Sequence, residues 1–260
     1  MYIDIHNHLV FGVDDGANQI EVSQRMLRTA AMERTAHIIT TPHMSPGYEE
    51  FPYERYLANL AVLQKFCDSE KLNLKLHSGC EVFYTESTKQ FLADGRIPTL
   101  AHSDFVLMEF NGDVRFDTLQ KAAEEVCMEG YTPIFAHIER YACLRTLKRV
   151  GILRENFNVN MQVNAKTIVQ CDRPLSDPWI WKLLRSGYVD YVASDAHNLS
   201  TRTVELIPCA RVLIKRFDTA FKDRLLYQFP SEIIQQEETA EYTKNGSADT
   251  RTEYGAESGM

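Results

Sequence analysis

The sequence predicts an α/β fold in which seven parallel strands form a (β/α) barrel. Seven short apolar segments typical of strands alternate with segments of helical periodicity. Strict alternation of this kind implies a parallel sheet with right-handed crossovers. Polar side chains follow many of these strands directly, as they do at the active-site end of a barrel. That recurrence favours the barrel over the alternative topology, an open doubly wound sheet.

The predicted strands are short apolar runs bounded by polar or glycine-containing segments. They are Tyr2–His6, Ala36–Thr40, Leu72–Gly79, Phe105–Phe110, Thr132–Ala136, Asn160–Val163 and Tyr188–Ala193. The predicted helices fill the gaps between them, and in the first helix Val22, Met26 and Ala30 form an apolar stripe. The helices are Glu21–Arg34, a second that carries Tyr56, Leu60, Leu63 and Cys67, and then Thr85–Ala93, Asp117–Glu129, Arg145–Arg154, Pro178–Ser186 and Arg202–Phe221.

Composition predicts one large cytoplasmic domain. The chain has 260 residues, of which 44% are hydrophobic, so residues 1–234 can bury a sizeable core. The net charge of −8 offers no basic surface for nucleic acid or acidic lipid. No apolar run approaches the roughly 18 residues of a membrane-spanning helix, so we expect no membrane insertion. Six scattered cysteines without a Cys-x-x-Cys motif are expected to be free thiols.

The last 26 residues differ from the rest in composition. Residues 235–260 contain almost no large aliphatic side chains, so we expect a disordered polar tail. Tyr242 and Tyr254 lie next to or near glutamates in this tail. One hypothesis is that they are phosphorylated and act as signals; the alternative is a solvated tail without such a role.

The first strand leads into a candidate metal site. Because strand side chains alternate between faces, His6 and His8 point to the same side, and Asp15 follows in a glycine-containing loop. Imidazole and carboxylate ligands suit zinc, iron and similar ions. A polar strand end with two surface histidines would explain this motif alone equally well.

At six of the seven predicted strand ends, histidines or carboxylates stand at or directly after the end of the strand. The candidate ligands are five histidines and four carboxylates: His6, His8, Asp15, His43, Glu81, Glu109, His137, Asp195 and His197. Carboxylates converging on one barrel mouth would repel each other by about 4 kcal/mol per pair at 4 Å and an effective dielectric constant near 20. Divalent cations would neutralise that charge. The pattern therefore predicts a cluster of metal ions.

The remaining histidines, and one cysteine with a nearby arginine, do not follow a strand end in this way. His37, His77 and His102 do not follow a strand end, so we interpret them as packing or surface residues. Cys143 and Arg149 have the Cys-x5-Arg spacing of cysteine-dependent tyrosine phosphatases, but that chemistry needs a small-residue phosphate-binding loop. The five residues between Cys143 and Arg149 have bulky side chains and no glycine, and their pattern predicts the start of a helix.

Together these residues resemble the polymerase-and-histidinol-phosphatase (PHP) superfamily. Within it, the chain is similar to the bacterial manganese-dependent tyrosine phosphatases encoded with capsule and exopolysaccharide genes. The resemblance covers about Met1 to Ile234 and rests on His6-Asn7-His8, Asp14-Asp15-Gly16, Thr41-Pro42-His43, Gly79-Cys80-Glu81, Leu107-Met108-Glu109-Phe110, Ala136-His137-Ile138-Glu139-Arg140 and Ala193-Ser194-Asp195-Ala196-His197-Asn198.

The resemblance implies a distorted seven-stranded barrel with up to three divalent ions, Mn²⁺ by family and Fe, Zn or Co by ligand type. It places His6, His8, Glu81 and Asp195 on the first ion, Glu81, Glu109 and His137 on the second, and Asp15, His43 and His197 on the third. Arg140 and Arg202 match arginines that hold the phosphoryl oxygens. Met44 stands where many relatives carry another histidine, which puts only substrate contacts in doubt.

The implied reaction is attack of a metal-bound hydroxide on a phosphotyrosine, since coordination lowers the pKa of water toward 7. A phenolate leaving group, with a pKa near 10, needs less help from a general acid than an alkoxide does. The implied partner is a membrane-associated tyrosine autokinase that regulates capsular or exopolysaccharide synthesis, and the relationship allows a homo-oligomer. A small phosphomonoester such as histidinol phosphate is the alternative substrate, and a non-catalytic regulatory domain is the alternative class.

Overall fold

We describe residues 1–174, 176 and 178–237 of the chain in a computed structural model. The strands in this part of the chain are β1 (Tyr2–Asp4), β2 (Thr35–Ile39), β3 (His43–Met44), β4 (Lys75–His77), β5 (Glu81–Phe83), β6 (Phe105–Glu109), β7 (Thr132–Phe135), β8 (Asn160–Asn164) and β9 (Tyr191–Ala193). The helices are α1 (Ile20–Met32), α2 (Tyr53–Glu70), α3 (Thr88–Ala93), α4 (Phe116–Met128), α5 (Leu147–Phe157), α6 (Ala165–Cys171), α7 (Trp179–Arg185), α8 (Leu206–Arg216) and α9 (Thr219–Asp223).

All strand pairs are parallel, and they form a curled sheet in two parts. One part has the order β1-β2-β4 and the other the order β3-β5-β6-β7-β8-β9. The second and third predicted strands, Ala36–Thr40 and Leu72–Gly79, overlap β2 and β4; each is followed, after a break, by a short strand that was not predicted, β3 and β5. Pro42 lies in the first break and has no N–H to give to a ladder. At Gly79, in the second break, a Cβ atom would lie 3.0 Å from the Leu100 side chain.

A single bridge joins the last strand to the first. Asn7 pairs with Ala196 in parallel, the N–H of Asp195 donates to the carbonyl of His6, and the N–H of His8 donates to the carbonyl of Ala196, both at 2.9 Å. The seven predicted strand segments therefore follow one another in chain order round the curled sheet. This arrangement confirms the predicted distorted barrel.

Apolar packing lies on both sides of the sheet. One buried cluster includes Ile3 of β1, Leu107 of β6 and Ile134 of β7, which come from both parts of the sheet, so it fills the inside of the curl. Ile233 from the last helical segment joins this cluster. A larger cluster packs the helices against the outside of the sheet.

The predicted helix Arg202–Phe221 is shorter and broken. It starts only at Leu206 because the Asn198 side-chain oxygen accepts the backbone N–H groups of Thr201 and Arg202, at 2.8 and 3.0 Å, and holds them in a turn. Helix α6 was not among the predicted helices. Between residues 1 and 237 as described, no helix is both long and apolar enough to cross a bilayer.

The C-terminal part of the described chain is helical beyond the predicted domain boundary. After α9, a π-helical turn at Arg224–Gln228 leads into residues 229–237, and Glu237 is buried beside His77. The predicted boundary at residue 234 thus falls inside this helical segment. Residues 238–260, with Tyr242 and Tyr254, lie outside the described residues.

Candidate metal centre

The nine predicted ligands come together at the C-terminal ends of the strands. Backbone register accounts for part of this: His43 pairs with Glu81 across β3 and β5, and Phe83 pairs with Glu109 across β5 and β6. Asp15 returns to the first strand because Gly16 packs against it, where a Cβ atom would lie 2.0 Å from the carbonyl oxygen of His8. Only glycine fits that approach.

The first group is completely enclosed and lies around Glu81. Oε2 of Glu81 is 3.1 Å from Nε2 of His6 and 3.2 Å from Nε2 of His8. Oδ1 of Asp195 is 3.4 Å from Nε2 of His6. All four side chains are buried, so two carboxylates and two imidazoles share one space without water-exposed surface.

The second group uses the other oxygen of Glu81. Nε2 of His137 is 3.0 Å from Oε1 of Glu81 and 3.3 Å from Oε1 of Glu109. Nδ1 of His43 also approaches this group, at 3.2 Å from Oε2 of Glu81 and 3.4 Å from Oε2 of Glu109. Glu81 therefore lies between two groups, as the resemblance implied.

The third group opens to solvent. Oδ1 of Asp15 is 3.4 Å from Nε2 of His43 and 3.4 Å from Nε2 of His197. His43 thus points one ring nitrogen at each of two groups, whereas the resemblance placed it on the third group alone. The Asp15 side chain is 63% exposed and that of His197 only 2%, so this side forms the mouth of the centre.

The ionisable side chains of the centre shift the pKa values of their neighbours. Burial alone would raise the pKa of Glu81, but the charge of His6 and the hydrogen bond with His137 hold it well below its ordinary value. Burial alone would lower the pKa of His8, yet the hydrogen bond with Asp14 and the nearby charge of Glu81 raise it to about 10. Glu81 therefore stays ionised, and positive charge beside it is favourable.

Several buried atoms of the centre have no hydrogen-bond partner among the described residues. They are Oε2 of Glu81, Nδ1 of His137 and Nε2 of His197. Oε2 of Glu81 is the most telling, because imidazole nitrogens approach it within 3.2 Å without hydrogen-bond geometry. Burial, with the charges of His8 and Arg202, lowers the pKa of His197 to about 3, which leaves a neutral ring with a lone pair. Such a set of donors fits divalent cations.

Both predicted phosphate-binding arginines lie at the mouth and contact Asp195. Nη2 of Arg140 donates to Oδ2 of Asp195 at 2.7 Å, and Nη2 of Arg202 donates to Oδ1 at 2.7 Å. Their side chains are 44% and 33% exposed. Each guanidinium has five N–H donors, so most of this donor capacity is left for another anion.

Some supporting residues were not predicted from the sequence. Asp14 accepts a hydrogen bond from Nδ1 of His8 at 2.7 Å, and Gln162 and Asn164 contact other members of the centre. The sixth strand ends in Gln162-Val163-Asn164, which has no histidine or carboxylate but has amides that can orient ligands. The alternation along β8, which puts residues 162 and 164 on one face, was the available signal.

The residues that the sequence analysis set aside lie in none of the three groups. Nδ1 of His37 is 3.0 Å from Nε2 of His77, and Nδ1 of His77 is 2.5 Å from Oε2 of Glu237. Cys143 lies in a short 3₁₀ turn, Ala142–Leu144, where burial raises the pKa of its thiol. A raised pKa is opposite to what a nucleophilic thiolate needs.

A family model described as capsular polysaccharide synthesis, CpsB/CapC, matches residues 2–235. The tyrosine-protein phosphatase CpsB of Streptococcus agalactiae serotype V is 29% identical over 238 residues, which is 89% of this chain and 98% of that protein.

Solved structures also match. The crystal structures described as YwqE from Bacillus subtilis and CpsB from Streptococcus pneumoniae, unique metal-dependent tyrosine phosphatases, give a TM-score of 0.81 at 26% identity, covering 90% of this chain and 94% of that one. A zinc-containing histidinol phosphate phosphatase of Lactococcus lactis subsp. lactis gives 0.50 at 16% identity over 83% and 93% of the two chains, a likeness of fold alone.

Proposed function

Since the chain belongs to the CpsB/CapC family of capsular polysaccharide synthesis, we propose that it is a metal-dependent protein-tyrosine phosphatase. Its substrate is a phosphorylated tyrosine autokinase that regulates capsular or exopolysaccharide synthesis. The observation that carries the proposal is Glu81, whose two oxygens face different groups of ligands within one buried cluster. The name shared by the relatives supports the phosphotyrosine specificity.

Each group of side chains would hold one divalent ion. His6, His8, Glu81 and Asp195 would hold the first, Glu81, Glu109 and His137 the second, and Asp15, His43 and His197 the third, with His43 also facing the second. We propose Mn²⁺ as the ion on the basis of the family resemblance, because imidazole with carboxylate accepts Mn, Fe, Zn and Co alike and ligand type does not set the choice. When bound, such ions supply an acidified water and positive charge for a phosphate group.

The side chains around the ions orient the substrate. Arg140 and Arg202 are held against Asp195, and their remaining N–H donors would take the equatorial phosphoryl oxygens in paired bonds. The phenolate of tyrosine leaves with a pKa near 10, so no buried general acid is required.

The openness of the mouth supports a protein substrate. Asp15 is 63% exposed and Arg140 44% exposed, so a phosphotyrosine presented on a protein surface can reach them. A crevice of about 680 Å³ has Phe83 in its lining, and Phe83 pairs with Glu109 of the second group across β5 and β6. Chain beside the phosphotyrosine would lie in this crevice.

None of the six cysteines, all of which lie within the described residues, forms a disulfide, which supports a reducing cytoplasmic site of action.

The test compares substrates, ions and variants in one set of assays. Hydrolysis of a phosphotyrosine peptide and of histidinol phosphate is measured with and without Mn²⁺, beside elemental analysis of the purified protein. We expect Mn²⁺-dependent hydrolysis of the peptide, lost in Glu81→Gln and retained in the control Glu124→Gln, whose side chain is exposed. Faster turnover of histidinol phosphate would indicate a small-molecule phosphatase. Bound metal with neither activity would indicate a regulatory domain.

A further inference from the structure

We propose that Gln162 and Asn164 form a positioning relay that orients the ligands of two ion sites and thereby sets their affinity. The proposal rests on the metal-dependent function proposed above and adds two residues to it. Neither residue is a predicted ligand. Both lie on β8, two positions apart, and point to the same side of the strand.

The relay consists of four consecutive hydrogen-bond contacts between buried groups. Oε1 of Gln162 lies 2.7 Å from the backbone N of His137 and 3.2 Å from Nδ1 of His6. Nε2 of Gln162 lies 2.8 Å from Oδ1 of Asn164, and Nδ2 of Asn164 lies 2.7 Å from Oδ2 of Asp195. Gln162 is 0% exposed and Asn164 5%.

The direction of every bond follows from one obligatory donor. A backbone N–H can only donate, so the Gln162 atom facing His137 must be its carbonyl oxygen. The other end of Gln162 is then an NH₂ group, which requires an oxygen at the facing end of Asn164. The remaining end of Asn164 is an NH₂ group that donates to Asp195. The polarity is thus set by chemistry and leaves no alternative amide flip.

This polarity determines the tautomer of His6. An amide oxygen cannot donate, so Nδ1 of His6 must carry the hydrogen that Gln162 accepts. Nε2 then presents its lone pair to the cluster, 3.1 Å from Oε2 of Glu81. Metal-binding histidines are commonly held in this way by an acceptor on their second nitrogen.

The relay also holds two residues with strained backbone. His137 and Asp195 have φ angles of +33° and +53°, in the left-handed region that residues other than glycine rarely adopt. Gln162 accepts the N–H of His137, and Asn164 donates to the side chain of Asp195. Both candidate ligands are therefore hydrogen-bonded to the same pair of amides.

A neutral amide pair suits this position better than the alternatives. An apolar residue at 162 would leave the buried N–H groups of His6 and His137 without an acceptor, which is costly. A carboxylate would add negative charge to a centre that already contains four. The amides provide both an acceptor and a donor without changing the net charge.

The experiment uses Gln162→Met and Asn164→Leu in the full chain. The readouts are bound Mn²⁺ by elemental analysis, Mn²⁺ affinity by competition with a chelator, and the His6 tautomer by ¹⁵N NMR. The matched control is Gln64→Met, which removes a half-buried amide that bonds the sheet backbone at Leu74 and Leu76, away from the centre. Circular dichroism verifies that each variant is folded.

We expect Gln162→Met to weaken Mn²⁺ binding about 10- to 100-fold, as loss of partners behind metal ligands does. Its His6 ring should populate both tautomers. Asn164→Leu should weaken only the ion held with Asp195 and keep the parental His6 tautomer. Gln64→Met should bind Mn²⁺ like the parent.

The outcomes separate this proposal from the function on which it rests. If the parent protein binds no ion, the proposed function fails. If the parent binds Mn²⁺ and folded Gln162→Met binds it equally well with an unchanged His6 tautomer, the relay is refuted. Should Gln162→Met not fold, Asn164→Leu decides: parental affinity at every ion refutes the relay.

Discussion

Arg140 donates a hydrogen bond from Nη2 to Oδ2 of Asp195 at 2.7 Å. The residue expected to bind the phosphoryl group is therefore hydrogen-bonded to a carboxylate of the candidate metal centre. Burial by itself would raise the pKa of Asp195, but the charges of His6, His8 and Arg202 hold it below its ordinary value. An ionised Asp195 keeps Arg140 in place at the mouth.

Replacing Arg140 with lysine should impair catalysis although the charge is kept. Lysine lacks the planar guanidinium, whose several N–H groups can donate to a carboxylate and to a phosphoryl group at the same time. We expect kcat/KM for a phosphotyrosine peptide to fall about 10²-fold, a loss typical of removing one oriented donor to the reacting group. The control is Arg28→Lys, whose exposed pair with Glu70 joins α1 to α2. Parental kcat/KM in Arg140→Lys would exclude the bidentate role.

Removing divalent ions should destabilise the protein as well as inactivate it. Ions that bind only the folded state stabilise it by about 2.7 kcal/mol per site at a free concentration 100 times Kd. Thermal unfolding with chelator should therefore occur at a lower temperature than with Mn²⁺. Glu81→Gln should show a smaller difference, since it lacks the shared carboxylate. Equal melting temperatures of the parent in both conditions would contradict the metal centre.

Cys143→Ser should leave phosphatase activity unchanged. The thiol has a raised pKa, and Nη1 of Arg149 donates to the backbone carbonyl of Cys143 at 3.0 Å, so this pair does not form a phosphate cradle. Steady-state hydrolysis of the phosphotyrosine peptide, with and without chelator, checks this. Loss of activity in a folded Cys143→Ser protein would revive the cysteine mechanism.

The pair of Glu237 and His77 should make stability depend on pH in the acid range. Burial alone would raise the pKa of Glu237, but the hydrogen bond with His77 lowers it below the ordinary 4.5. A lowered pKa stabilises the folded state above 4.5, and the contribution disappears as the pH falls through the folded-state pKa.

Glu237→Gln should therefore destabilise the protein near neutral pH by about 1.5–3 kcal/mol, the usual contribution of a hydrogen bond to a charged group. The difference from the parent should shrink at pH values below 4.5. Denaturant unfolding across this range measures it, with the exposed Glu232→Gln as control. A difference that is independent of pH would show that Glu237 does not act through its charge.

Tyr56 should be a strong contributor to stability near the strand breaks. Its hydroxyl accepts the N–H of Gly79 at 2.9 Å and donates to the carbonyl of Thr40 at 3.1 Å, which ties together the ends of β2 and β4. Tyr56→Phe leaves these buried groups unpaired, so we expect a loss of about 1–3 kcal/mol in denaturant unfolding. Tyr227→Phe, at a 45% exposed position, should show no loss. Equal losses in both would refute the contribution of the hydroxyl.

Much of the fold could be predicted because its signals are local. Apolar runs such as Phe105–Glu109 and the stripe on α1 predict their elements from short-range periodicity. The breaks after β2 and β4 and the late start of α8 could not be predicted in this way. They depend on packing against Leu100 and on a side-chain turn at Asn198, which compete with local preference.

The sequence by itself determined which residue types stand at the strand ends. It therefore also determined that histidines and carboxylates meet at one edge of a parallel sheet. Only the tertiary structure decided which atoms face each other: that Glu81 lies between two groups, that His43 serves two groups, and that Gln162 supports His6 from 156 residues away. The physical reason is that strand periodicity fixes the side of a residue, whereas distances between strands depend on register, twist and breaks.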